Sequence, residues 1–145
     1  MRRVIVMLAL LALVLTGCGG SSADTTVGDP PKAAAFEKAG SAQLDKIVAD
    51  WKTQVPAQLV DRQIKQESIE QKVYQSTASL QEIADFYHGL TTTKGWVEVQ
   101  HMPDLQGGFF ASGYDLGTAH LVVGAVDASK FGGSGVIVYT AKGTK

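Results

Sequence analysis

Apolar residues recur along the chain with two distinct rhythms, and each rhythm predicts a kind of element. Between about Ala33 and Val55 the residues Leu44, Ile47, Val48, Trp51 and Val55 fall three and four apart, while Asp45, Lys46, Asp50 and Lys52 occupy the other side. That spacing predicts an amphipathic helix. Gly40 and Ser41 divide it, Ser41 is placed to cap the stronger half, and Pro56 supplies a stop. A second helix is expected after Ser79, because Ser79 and Glu82 form the spacing of a capping box and Leu80, Ile83, Phe86 or Tyr87, and Leu90 continue one stripe as far as Lys94-Gly95. Residues 59–76 are ambiguous. Ile69, Gln71 and Val73 alternate with Glu70, Lys72 and Tyr74, which suits an edge strand or a strand preceded by helix up to about Glu67.

The rhythm then changes to period two. Trp96 to His101 alternates, Pro103-Asp104 and Gly107-Gly108 read as a turn, and Phe109 to Tyr114 as a strand. Asp115-Leu116-Gly117-Thr118 reads as a hairpin loop between that strand and the strongly apolar runs Ala119 to Val126 and Val136 to Ala141. The expectation is an α+β fold: an N-terminal helix and a second helix packed on one face of an antiparallel sheet of four to five strands.

The first eighteen residues follow neither rhythm. Arg2 and Arg3 precede an unbroken apolar run from Val4 to Leu15, and the chain's only cysteine, Cys18, follows Leu15-Thr16-Gly17. Twelve apolar residues in a helix cover about 18 Å, short of the roughly 30 Å of a hydrocarbon core. Gly17, Gly19 and Gly20 would end such a helix where a span must continue. A basic start, a short apolar stretch and small residues before a cut are the parts of a secretory signal peptide. Residues 15–18 resemble the lipobox of bacterial lipoprotein precursors.

That resemblance implies that residues 1–17 are cleaved and that Cys18 receives a diacylglycerol, often with a further acyl chain on its new amino group. It implies an extracytoplasmic protein anchored to a membrane by fatty chains through Cys18. Two chains anchor stably where one does not, at about 0.8 kcal/mol per buried CH₂. Gly19, where an Asp would commonly signal inner-membrane retention, leans toward the outer membrane in a host with two membranes. Residues 18–31, rich in Gly, Ser, Thr and Pro, have the composition of a flexible linker with an end-to-end distance of about 20 Å. Residues 32–145 are then a single domain. Its Phe86-Tyr87 and Gly95-Trp96 arrangement ahead of β-hairpins resembles small exported bacterial domains of unassigned role, and no catalytic motif comes with that resemblance.

Charge and residue chemistry narrow the function classes. The 13 Lys and Arg stand against 14 Asp and Glu; without Arg2 and Arg3 the balance is 11 against 14, a net charge of −3, with Arg62 the sole remaining arginine. Nucleic acid is not expected as a partner. Once Cys18 is acylated no thiol remains for a disulfide, a metal or a nucleophile. Gly132-Gly133-Ser134-Gly135 superficially resembles a phosphate cradle, but a strand rather than a helix follows and no Lys-Ser or Lys-Thr is present, so it reads as a loop. The three histidines, His88, His101 and His120, lie 13 and 19 residues apart without metal-ligand spacing. A zinc site from all three with Asp104 or Asp115 would need folding to assemble it, as would a Glu98–Asp115 carboxylate pair or a His101–Asp115–His120 cluster. No cofactor, metal or catalytic residue is expected.

Aromatics supply the remaining lead. Seven of them lie between Tyr87 and Tyr139, and adjacent Phe109 and Phe110 must point to opposite faces of a strand. Phe110 or Phe131 is therefore expected on an exposed interaction surface. The function expected first is a lipid-anchored, non-catalytic interaction or assembly module with an envelope protein as partner. The alternative is a small-ligand-binding lipoprotein with a pocket between helix and sheet, and an enzyme comes last.

Overall fold

A computed structural model describes residues 23–145. The signal-peptide and lipobox expectations, Cys18 included, lie outside the described residues. Helix α1 (Ala42–Asp61) begins at Ser41, whose hydroxyl accepts from the Leu44 N–H at 3.3 Å. It buries Leu44, Val48 and Leu59. Pro56 does not stop it. Proline removes one N–H and crowds one carbonyl, whereas burial of Leu59, one turn later, holds the continuing helix on the domain. Upstream, Ala33–Ala35 form a short strand, β1, where helix was expected. Helix α2 (Leu80–Thr93) has the anticipated capping box: Ser79 Oγ accepts from the Glu82 N–H at 3.1 Å and Glu82 Oε2 from the Ser79 N–H at 2.7 Å. It ends at Gly95, whose φ of +75° suits a residue without Cβ.

The sheet adds β2 (Glu70–Ser76), β3 (Val97–Asp104), β4 (Phe109–Leu116), β5 (Ala119–Asp127) and β6 (Val136–Thr144). Its order is β1-β2-β6-β5-β4-β3 with every pair antiparallel. The last four strands form the expected meander. The strand count is six rather than four to five, because β1 pairs with β2 and β2 with the far side of β6. The turn before β4 lies at residues 105–108, so Pro103 sits inside edge strand β3, opposite Phe110. Proline is tolerated there because an edge strand leaves one side unpaired.

The helices do not share a face. Leu121, Val123 and Ala125 of β5 and Val136 and Val138 of β6 pack with α2 residues such as Ile83 and Tyr87. Their alternates meet α1: Val126 and Ile137 pack with Leu44 and Val48, and Tyr139 and Ala141 with Leu59. Successive strand residues point to opposite faces, so α1 and α2 enclose the sheet between them. Uninterrupted apolar runs in β5 and β6 are what burial on both faces demands.

Residues 23–31 also depart from expectation. From Asp24 onward this segment is tied to the domain rather than standing free. Lys94 Nζ donates to the Thr26 carbonyl at 2.7 Å, Tyr74 donates to Asp29 at 2.7 Å, Ser76 donates to the Pro31 carbonyl at 2.6 Å, and Val27 packs on the α2-side core. Its composition remains that of a linker; the partners that hold it are 45 to 68 residues away in sequence. Together with α2 this strap covers one face of the sheet. On the other face α1 lies over β6 and β5 and leaves β3 and β4 open, with Val97, Val99 and Met102 exposed.

Candidate functional site

Where α1 ends its cover of the sheet there is a cleft of about 240 Å³. Its floor is made by missing side chains. On the α1 side of the sheet Ala111 stands opposite Gly124, Gly113 opposite Val122, and Asp115 opposite His120. Trp51 lies on Gly124 so closely that a Cβ there would sit 3.3 Å from the indole, and its ring centroid is 5.9 Å from that of Tyr139. The α1 side contributes Gln54, Gln58 and Arg62, and β3 contributes Gln100 and Met102.

His120 is the one buried histidine, with a side chain 6% exposed. Its Nδ1 is hydrogen-bonded to the carboxylate of Asp115, one rung across the β4–β5 hairpin. The other ring nitrogen, Nε2, faces the space above Gly113, 3.8 Å from where a Cβ would stand, and has no hydrogen-bond partner among the described residues. In the tautomer whose Nδ1–H donates to the Asp115 carboxylate, Nε2 is an acceptor. Arg62, the only arginine among the described residues, forms no ion pair with them. No carboxylate or lysine side chain lines the cleft.

A second polar group assembles on the opposite face. Glu98, opposite Tyr114 in the register, accepts from Ser112 Oγ and meets His101 Nδ1 at 2.8 Å and His88 Nδ1 at 3.5 Å. Desolvation pushes the Glu98 carboxyl up, but hydrogen bonds from Ser112 and His101 and the charges of His101 and His88 outweigh it and hold the group below its ordinary value. The histidines thus divide two and one. His101 does not join Asp115 and His120, and Glu98 and Asp115 do not meet, because adjacent rungs of the ladder face opposite ways. Among the described residues no group of three or more His, Cys, Asp or Glu is arranged to hold a metal ion. Asp104 instead accepts from the Gly107 N–H at 2.8 Å and stabilises the turn before β4.

The aromatic lead is corrected in part. Phe109 and Phe110 do point to opposite faces, but Phe110 is buried in the α2-side core and Phe109 is half-buried beside the α1 core. Phe131 is half-buried, edge-on to Phe109 at 5.3 Å beside the α1 core. The exposed large apolar residues are Val97, Val99 and Met102 on β3 and Val60 on α1 instead. The cleft went unread in the sequence, although glycines at 113 and 124 within strand runs are the signal of a close approach or of space left open.

No protein-family model, no curated protein and no solved structure matches the chain.

Proposed function

We propose that this chain is a lipid-anchored, non-catalytic binding module of the bacterial cell envelope, which holds a small ligand in the cleft between α1 and the sheet. The observation that carries the binding reading is His120: a buried imidazole, fixed by Asp115, offers a free nitrogen to a concave space with aromatic and aliphatic walls. Such a combination of apolar lining and few oriented polar groups is how small-molecule sites are built. Binding is preferred to hydrolysis on geometry. The Asp115–His120 pair has the form of the orienting half of a nucleophilic triad, but the hydroxyl that a triad requires is not beside it. Ser112 is on a rung facing the other side of the sheet, where its Oγ is engaged by Glu98 and lies 2.7 Å from the Gln100 carbonyl.

The anchor rests on the Leu15-Thr16-Gly17-Cys18 pattern and the short apolar run before it. Among the described residues no helix is long and apolar enough to cross a membrane. Intact-mass measurement of native material should show a chain beginning at an acylated Cys18; an unmodified chain beginning at Met1 would overturn the anchor. For the cleft, native protein released from the envelope and denatured should yield a stoichiometric small molecule. Filling the half-buried floor with Ala111→Leu should abolish that yield, and an unchanged yield would overturn the assignment.

An envelope-protein partner is the second reading, favoured by one observation. Val97, Val99 and Met102 leave apolar side chains exposed along an edge strand, and exposed apolar surface at a sheet edge is where partners dock. Crosslinking from β3 in intact cells would report it: a specific adduct supports this surface, and no adduct removes it.

A further inference from the structure

Accepting that the cleft binds a small ligand, we infer the ligand's class: a carboxylate on a single apolar ring or a body of that size, carrying a hydroxyl or other hydrogen-bond donor away from the acid. Three features of the cleft converge on it. The volume of about 240 Å³ lies just below the roughly 300–1,000 Å³ of sites for drug-sized ligands and admits one ring with a short side chain.

Charge selects the head group. Arg62 is the only fixed charge in the lining, it is positive, and neither an acidic side chain in the cleft nor an ion pair elsewhere on the described chain competes for its guanidinium. A planar guanidinium at a half-open rim matches a carboxylate with two parallel hydrogen bonds. Its place follows from the helix: Arg62 caps the C-terminus of α1, its N–H bonded to the carbonyls of Gln58 and Leu59, so the side chain leaves the helix end beside the cleft.

The floor selects the far end of the ligand. In the tautomer whose Nδ1–H donates to Asp115, His120 Nε2 is an acceptor, so the ligand brings a donor to it. Between rim and floor lie Trp51 and Val122, which offer an aromatic face and an aliphatic wall to the body. Gln54, Gln58 and Gln100 carry both donors and acceptors and fit the ligand's remaining polar atoms without imposing a charge.

The test titrates 4-hydroxyphenylacetate into the full chain held in phospholipid nanodiscs, with calorimetry and tryptophan fluorescence as readouts. Phenylacetate lacks the donor and 4-hydroxyphenylacetamide lacks the charge. Saturable one-to-one binding is expected, weakened at least about tenfold for either analogue and for Arg62→Gln, and unaltered in His88→Gln on the opposite face. Arg62 is exposed, so its substitution leaves the fold intact. If the amide or Arg62→Gln binds as well as its counterpart, the carboxylate assignment falls while the binding reading stands. Equal binding of phenylacetate removes the donor requirement in the same way. If none of the three compounds saturates by about 1 mM, the ligand class is overturned; the binding reading is then judged separately by what the denatured native protein releases.

Discussion

Enclosure of the sheet between α1 and α2 makes a quantitative prediction about energetic coupling. Val48 of α1 is 4% exposed and Ile83 of α2 is fully buried, and they belong to separate cores on opposite faces. Val48→Ala removes two methyl groups, a transfer loss of about 1.6 kcal/mol, and the cavity left beneath a helix held at both ends raises the total to about 2–3 kcal/mol. Ile83→Val removes one, for about 0.5–1.5 kcal/mol. The double variant should lose the sum, about 2.5–4.5 kcal/mol, with the two measured single losses adding to within about 0.5 kcal/mol, because sites without shared partners are additive. A domain of ordinary stability, about 5–15 kcal/mol, survives that loss and can be measured. Urea unfolding followed by far-ultraviolet circular dichroism supplies each value. A companion cycle of Val48→Ala with Ile137→Val, two residues of the same core, should instead show coupling of about 0.5 kcal/mol or more. A coupling above about 1 kcal/mol between Val48 and Ile83 would refute the separation of the cores and place both helices on one face.

Three further outcomes are expected. The buried Tyr87 hydroxyl, whose pKa is pushed well above the ordinary value by burial, has no hydrogen-bond partner among the described residues, so Tyr87→Phe should raise stability by about 1 kcal/mol in the same unfolding assay; a loss would show that the hydroxyl is satisfied. Pro56→Ala restores an N–H to the interior of α1 and should stabilise by about 1–3 kcal/mol, read as a raised thermal midpoint; a fall would mean that the proline bend is needed for docking on β6. The Thr26 backbone N–H and hydroxyl, with Lys94, hold the Asp24 carboxyl at about 2 against an ordinary 3.8. A depressed carboxyl contributes above its unfolded value and loses that contribution as the pH falls through the folded one. The Asp24 carboxyl should therefore keep its bonds to Thr26 and Lys94 at pH 5 and lose them between roughly pH 4 and 2, seen as an Asp24 carboxyl titration by nuclear magnetic resonance with its midpoint near the lower end of that range; a midpoint near 3.8 would remove both contacts.

Local physics was legible in the chain wherever neighbours in sequence are neighbours in space. The Ser79–Glu82 capping box, the stop at Gly95 and the Ser41 cap all involve groups within a helical turn, and the hairpins of β3 to β6 join strands adjacent in sequence. The α1 stripe was equally visible, although its end was not: Pro56 disfavours a helix locally, and only the burial of Leu59 against Tyr139 and Ala141 outweighs that cost. The linker-like residues 24–31 show the same conflict, since Lys94, Tyr74 and Ser76 reach them from distant parts of the chain.

What the chain determined unaided was its repertoire: two capped helices and a set of strands with period-two alternation. Which face each helix covers, and hence where Phe110 is buried and where the cleft opens, was decided by tertiary packing. Strand alternation assigns side chains to two faces without saying what covers either one. The site has the same origin. His120 and Asp115 meet because the β4–β5 register sets them opposite each other, and Gly124 takes the Trp51 ring while Gly113 leaves open space only once α1 is laid across β5 and stops short of β4.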